Sequence, residues 1–593
     1  MEPPLSIAAN SALGRQGFDA DLMRRAWADR TNPEAPMTPT DLELVHAYHR
    51  ASKHQPERYA PGPDGLDWAN QPDPFRVFAG TRSIELPLGA DAQTLSFDRV
   101  RAGARPAPAP VDLAHLGVLL ELALGLAAWK SVGEARWALR CNPSSGNLHP
   151  TECYLITDPR PGLPGGVWHY VSRDHRLEHR AQDAQAHPPA PPDAPLVLAL
   201  TSVQWREAWK YGLRAYRYCQ LDLGHALGAL AYAAAVLGWR VGVLPWGDAE
   251  LARRLGLDRP GDFDPDQGEA PDLALWVGPQ VPAAGDLARL VAAERTFVGR
   301  ANRLSDDPRP WPGIGTVSAA CERPAGVQPG GGSAQEASAQ LPPQHPNPSP
   351  LTAADLIRQR RSAQAFDGAT HLSAPRWFAI LDALLPRPGV PPLDAWGGRP
   401  RVHLALFVHR VTDLAPGLYL LARDTAAIPA LRAGLQKDWR WDPVPGAPAQ
   451  LPLFALTLGD ARAAARQLAC HQEIAADSAF AVGMLADFDG ALTAGPWCYR
   501  ELYWECGLLG QVLYLEAEAA GVRGTGIGCF FDDAMHRLLG ITDTRWQSLY
   551  HFTVGTPVDD PRLQSAPPYP PRLRGERLYQ VGEPDRLDVV GQG

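Results

Sequence analysis

Two stretches decide the fold: YRYCQLDLGHALGALAYAAAVLGWRVG at 216–242 and YRELYWECGLLGQVLYLEAEAAGVRGTG at 499–526. Each opens on a Tyr-Arg pair, continues as a long apolar run and ends at a Gly before a short strand. A helix that is apolar over most of its circumference belongs in a core or in a large obligate interface. The Ala-rich run ALGALAYAAA at 226–235 permits close helix approach.

Working outward, four more pairs recur in the same order. They are ELVHAYHRASKH (43–54) with ADLIRQRRSAQAFDG (354–368), and GVWHYVSRD (166–174) with GLYLLARD (417–424). LVLALT (196–201) pairs with LFALTL (453–458), and LALWVGPQ (273–280) with YHFTVGTP (550–557). Ordered echoes of this kind predict duplication of one α+β unit. The length of 593 residues agrees, being too great for one ordinary core. Residues 1–305 are read as one domain, 306–350 as a linker and 351–593 as a second domain. The clearest linker is PAGVQPGGGSAQEASAQLPPQHPNPSP from Pro324 to Pro350, which has too few large apolar residues to repay its ordering entropy.

Composition excludes several classes. Pro 60 is about a tenth of the chain, roughly double the average, which rules out a mostly regular helical protein. With 45% apolar residues and 18 Trp, the chain is not globally disordered. A net charge of -9 and a pI near 6.0 advertise no nucleic-acid face. No charge-free apolar stretch of about twenty residues is present, so no membrane span is expected. The start, MEPPLSIAAN, has no basic region followed by an apolar run, so no signal peptide is expected. The eight Cys form no CxxC pair, and no HxxxH or HExxH helix is found. A disulfide framework, structural zinc and catalytic metal are therefore not expected, and a cytoplasmic location is. No Gly-x-Ser-x-Gly elbow points to a hydrolase.

Four motifs can carry chemistry. Arg358, Arg360, Arg361, Ser362 and Gln364 crowd the end of a predicted helix, and guanidinium forks with a hydroxyl suit a phosphate monoester. A solvated basic face is the alternative. Arg50 and Ser52 are a weaker version in the first half. CNPSSGNLHPTECYLI (141–156) sets Pro143, Ser144, Ser145, Gly146 and Asn147 in a turn-rich loop before a strand. Its amides, hydroxyls and carboxamide suit a flat heteroaromatic ring; a structural turn is the other reading. In GTGIGCFFDD, Gly526, Ile527 and Gly528 follow a helix, so this is no dinucleotide fingerprint; the glycines let backbone approach a planar ligand. Lys210 and Tyr211 are adjacent, and burial would let the pair move protons near neutral pH.

Together these strings resemble the FMN-dependent nitroreductase superfamily. RRSAQAFDG is similar to its Arg-x-Ser phosphate motif, and PSSGNLHP to its Pro-Ser-Ser-x-Asn-x-Gln-Pro flavin loop, with His149 in place of Gln. HRASKH, NPSSGNLHPTE and KYGLRAYRYCQLDLGHALGAL resemble the SagB-type, or thiazole/oxazole dehydrogenase, branch. The resemblance implies FMN as cofactor and oxidation of azoline rings in a peptide or a related small substrate. It implies Lys210 and Tyr211 as catalytic proton handlers. Arg360, Arg361, Ser362, Gln364, Pro143, Ser144, Ser145, Asn147, Gly526, Ile527, Gly528, Arg50 and Ser52 become the cofactor-binding set. The implied fold is an α+β sandwich that is dimeric, with flavin at the interface, so the chain is expected to be an intramolecular pseudo-dimer. The intact loop lies in the first half, the better phosphate motif and Gly-rich strand in the second. One good flavin site and one degenerate site are expected. Partners are expected to be a small-molecule or peptide substrate and peptide-modifying enzymes, with neither nucleic acid nor membrane. An NAD(P)H-dependent nitro- or ene-reductase and a flavin-free scaffold are the alternatives.

Overall fold

The computed structural model describes residues 39–570, apart from 186, 284, 286, 288–289, 291–293, 331–340 and 342–347. Most of the Pro324–Pro350 stretch therefore lies outside the described residues.

The first half opens with α1 (Asp41–Ala51), α2 (Phe97–Arg101) and α3 (Leu113–Ala123). Strands β1 (Thr151–Thr157), β2 (Gly166–Val171), β3 (Arg176–Asp183) and β4 (Leu196–Ser202) follow. Then come α4 (Gln204–Tyr211), α5 (Ala215–Val236), β5 (Arg240–Val243), β6 (Ala270–Gly278) and β7 (Arg295–Phe297). The sheet order is β7-β3-β2-β1-β4-β6-β5, all antiparallel, with Arg82–Glu85 also pairing β3.

Helix α6 (Pro312–Ala320) buries Ile314, Val317 and Ala320. The expectation of a linker across 306–350 thus fails in its first part, because these apolar residues repay the cost of ordering a helix. The second half comprises α7 (Ala353–Gln359), α8 (Ala374–Asp382), β8 (Val402–Val408), β9 (Gly417–Leu421), β10 (Asp442–Pro443), β11 (Leu453–Leu458) and β12 (Phe480–Asp487). It finishes with α9 (Cys498–Ala519), β13 (Arg523–Ile527), α10 (Asp532–Leu539) and β14 (Trp546–Gly555). Its sheet order is β10-β11-β9-β8-β12-β14-β13, and apart from the edge strands β7 and β10 it repeats the first sheet's order. Taken by topology, β2 answers β9, α5 answers α9 and β6 answers β14, as the echoes predict. LVLALT does not answer LFALTL: β4 corresponds to β12, and β11 to β3.

The two long helices pack on each other along the middle of the molecule. Where they cross, a Cβ on Gly224 would overlap the carbonyl oxygen of Trp504, and one on Gly507 that of Leu221; each stands 2.9 Å from the other glycine's Cα. The contact is reciprocal, as a twofold axis between the halves requires. The Tyr-Arg pairs obey the same symmetry. Tyr216 and Tyr499 stack with planes 2° apart. Arg217 pairs with Asp532 of the other half at 2.6 Å, and Arg500 pairs with Asp248 at 2.6 Å. All four charged groups are buried. Burial alone would raise the Asp532 carboxyl, but Arg214 and Arg217 hold it well below the usual range.

Trailing segments cross over as well. Gln564–Ala566 adds a strand to the first-half hairpin Leu126–Val132 and Ala135–Arg140, and the buried Tyr569 hydroxyl donates to Ser172 O. The α+β sandwich pseudo-dimer is thus one body with a shared core. Among the described residues, no helix is long and apolar enough to cross a membrane.

Gly507→Ala is expected to cost about 1–3 kcal/mol of stability, since the added carbon has only backbone to displace. Gly315→Ala, in open space, is expected to be neutral or mildly stabilising. Denaturant melts of the two variants beside the parent check this.

Candidate active site

The loop 143–147 is shaped by left-handed backbone at Gly146, Asn147 and His149, with φ of 60°, 59° and 52°. Ser144 Oγ accepts the His149 amide at 2.8 Å, and Asn147 Nδ2 donates to Ala138 O at 2.8 Å. The Ser145 amide and hydroxyl both donate to Asp222 on α5, at 3.0 Å. Pro143 is buried. These side chains build and anchor the loop, which leaves Gly146 as its exposed edge.

That edge faces the end of α4. A Cβ on Gly146 would stand 3.2 Å from Lys210 Nζ and closer still to the Tyr211 hydroxyl. The Tyr211 ring lies 4.5 Å from that of Tyr218, and Tyr218 in turn packs where a Cβ on Gly528 would be. Lys210 and Tyr211 therefore face the position where the first-half loop meets the second-half strand. Burial lowers the Lys210 ammonium, against an opposing pull from Glu207. Burial, with Glu207 and Tyr218 adding, raises Tyr211 well above its ordinary value. Glu207 is itself buried, raised well above the carboxylate range by desolvation and then by Asp222, and neither of its oxygens has a hydrogen-bond partner among the described residues. Asp222 is pushed up to about 7 by burial, although the Ser144 and Ser145 hydrogen bonds act against it.

The second half supplies the opposite wall. Arg360, past the end of α7, reaches into the first half: Nε donates to Cys141 O at 3.2 Å and Nη2 to Arg140 O at 3.3 Å. Its Nη1 is buried without a partner. Arg361 donates to Ala127 O, Arg358 O and Arg360 O, and burial with the adjacent Arg360 lowers it to about 10. No carboxylate among the described residues lies within ion-pair distance of either guanidinium. The Ser362 and Tyr514 hydroxyls are 2.8 Å apart, and Tyr514 Oη accepts the Gly526 amide at 3.0 Å. Tyr550, bonded to His225 Nε2 at 3.1 Å, occupies the space a side chain at Gly526 would need.

Gly526 and Gly528 are half-buried, and Ser362 and Gly146 exposed, so the site is an open cleft between the halves. Two adjacent guanidiniums without a counter-anion, one carrying an unpartnered buried Nη1, suit a phosphate. An edge strand stripped of side chains, beside a hydroxyl and an amide turned to one point, suits the rim of a flat ring. The donor set fits FMN.

Some expected residues are elsewhere. Ile527 points into the second-half core, and Gln364 is exposed without a hydrogen bond. Arg50 is exposed, while Ser52 Oγ donates to Tyr48 O and accepts Arg217 Nε at 2.9 Å, joining the Arg217–Asp532 network. Neither forms a phosphate motif. The counterpart of α7 is α2, as reciprocal bonds show: Phe97 N to Leu351 O and Ala353 N to Leu95 O. By that count Arg105 stands for Arg361 and Pro106 for Ser362, removing the hydroxyl. Arg105 is committed to Asp394 at 2.8 Å and to Trp239 O. Beside it, the segment 323–330 lies against the equivalent strand: Gly326 N donates to Pro245 O and Gly330 N to Glu501. The chain's own segment thus packs beside the second position.

A family model described as "Nitroreductase family" matches residues 107–263 and 456–556, one region in each half. A solved protein classed as a nitroreductase, from Anabaena variabilis, superposes with a TM-score of 0.61 at 22% identity, over 87% of this chain and 99% of its own. The two matched regions and the superposition show the nitroreductase fold in both halves. Sequence likeness extends to the trifolitoxin-processing protein TfxB of Rhizobium leguminosarum bv. trifolii, 30% identical over 176 residues, which is 26% of this chain. The match spans 47% of that relative, about half its length. A nitroreductase-class structure in complex with FMN, from Exiguobacterium sibiricum, is 12% identical over 38% of this chain and 95% of its own, with a TM-score of 0.22.

Glu207, Asp222, Tyr514 and Tyr550 were not legible as site residues, although a carboxylate inside the run LDLGHALG was the available signal for Asp222. A carboxyl raised on folding contributes stability that is fully present below its unfolded value, about 4, and is lost as pH rises through about 7. Asp222→Asn is therefore expected to flatten the fall in stability between pH 5 and 8. Thermal melts across that range check it, and an unchanged slope would mean an ionised Asp222 throughout.

Proposed function

We propose that this protein is an FMN-dependent dehydrogenase of the SagB type, binding one FMN per chain and oxidising an azoline ring in a peptide or a related small substrate. The observation that carries the reading is that Lys210 and Tyr211 meet the loop 143–147 at Gly146, while Tyr211 packs on Tyr218, which packs on Gly528 of the other half. The trifolitoxin-processing relative supports a processing role.

Arg360, Arg361 and Ser362 would hold the phosphate, and the backbone of Gly526 and Gly528 would meet the ring. When bound, FMN supplies two-electron, hydride-accepting chemistry. The chain's residues manage the proton. Lys210, whose ammonium is destabilised by burial, is placed to handle the substrate proton at Nζ. Tyr211 keeps its own proton and offers a hydroxyl donor. Glu207 and Asp222 behind them form a buried reserve of proton-binding groups.

Purified protein is expected to carry one FMN per chain by absorption and by cofactor release; two tightly bound flavins would refute the single site. Arg360→Ala is expected to lose flavin. Lys210→Met is expected to keep flavin while turnover of an azoline peptide falls about 10²-fold or more. Steady NAD(P)H consumption with a nitroaromatic, and none with an azoline, would instead favour a nitroreductase.

A further inference from the structure

Of the eight cysteines, six are buried; Cys470 and Cys529 are half-buried, and their Sγ atoms are 2.8 Å apart. The two loops that carry them are stitched together, with Phe531 N donating to Leu468 O at 2.9 Å and Gln472 Nε2 to Cys529 O at 3.2 Å. Cys470 and the next residue, His471, both hold left-handed backbone, with φ of 51° and 62°. Such conformations persist in non-glycine residues only where the surroundings enforce them. Here they hold the Cys470 thiol against Cys529. Solvent reaches the pair beside Tyr59, which is 44% exposed and packs on Phe531. Cys529 directly follows Gly528, which rests on Tyr218 at the active-site cleft.

We propose that Cys470 and Cys529 form a reversible, peroxide-reactive dithiol at the mouth of the cleft, with Cys529 taking the oxygen and Cys470 closing the disulfide. The Cys529 thiolate attacks one oxygen of hydrogen peroxide; the O–O bond breaks, and hydroxide leaves as water after protonation. The resulting Cys529 sulfenic acid is attacked by the Cys470 sulfur, forming S–S and expelling a second water that carries the Cys470 proton. Two thiols are oxidised by two electrons, and one peroxide is reduced to two waters. The Cys470 thiol, followed by the Arg214 guanidinium, favours the Cys529 thiolate over the opposing effect of burial. The relation of this pair to a flavin, which yields peroxide when reoxidised by dioxygen, rests on the proposed function; its reactivity with peroxide does not.

The test uses the full chain, reduced, freed of reductant and treated with a small molar excess of hydrogen peroxide. It is then trapped with N-ethylmaleimide and mapped by mass spectrometry without reduction. The expected result is a peptide pair joined through Cys470 and Cys529, two free thiols lost and both restored by dithiothreitol. In Cys470→Ser, a dimedone adduct on Cys529 is expected. Separate alkylation of Cys470 and Cys529 in the parent after peroxide treatment, or an unmodified Cys529 in the variant, would overturn the proposal. Flavin content is read on the same sample by absorption. The cross-link in flavin-free protein would uphold the dithiol while counting against the proposed function.

Discussion

Helices α5 and α9 cross in direct backbone contact at Gly224 and Gly507, where no side chain fits. Everything else about the arrangement of the halves follows from it. Backbones this close bring the residues one turn away into fixed register, so Gln220 accepts from Trp504 Nε1 at 2.6 Å and Tyr216 stacks on Tyr499. They also bring each half's Arg to the other's Asp. A buried ion pair repays its desolvation only with good geometry, and removing one member strands a charge at a cost of about 3–5 kcal/mol. These pairs therefore specify how the halves dock more than they add to stability.

The same register builds the candidate site. Its walls come from different halves: the loop, Lys210 and Tyr211 from the first, and Arg360, Ser362 and the Gly-rich strand from the second. Arg360 is bonded to carbonyls just before the loop, so sliding the halves by one helical turn would break the site as well as the interface. The tyrosines Tyr218, Tyr514 and Tyr550 line the junction. Each takes space that a side chain at Gly526 or Gly528 would have claimed, or a hydrogen bond that those positions offer.

Duplication was legible because the long helices and the strands they follow keep their wording. The Tyr-Arg pairs kept theirs because reciprocal ion pairs constrain both copies. Two echoes misled for the opposite reason. HRASKH resembles RQRRSAQ in composition, yet Ser52 serves the Arg217 network; the element matching α7 is the short α2, whose sequence has drifted to RVRAGARP. LVLALT and LFALTL are both apolar strand sequences, and periodicity does not distinguish one such strand from another. In the site, backbone-shaping residues such as Gly146 and Gly526 could be read from sequence. Asp222 and Glu207 could not, because their roles come from burial against groups far away in the chain.

Fusion explains why the two sites differ. In a symmetric homodimer every substitution appears in both sites, so a change that spoils one spoils both. In a single chain, Pro106 can replace a hydroxyl at one position while Ser362 persists at the other. The freed volume then becomes ordinary core. Arg105 turns to Asp394, and Arg323 settles between Trp246 O and the Trp504 ring, where burial lowers it to about 10. Contacts at this position fasten the start of the connecting segment, through Gly326 to Pro245 and through Gly330 to Glu501 of the other half. The segment thus works as a clamp, holding together the two halves whose junction forms the candidate site.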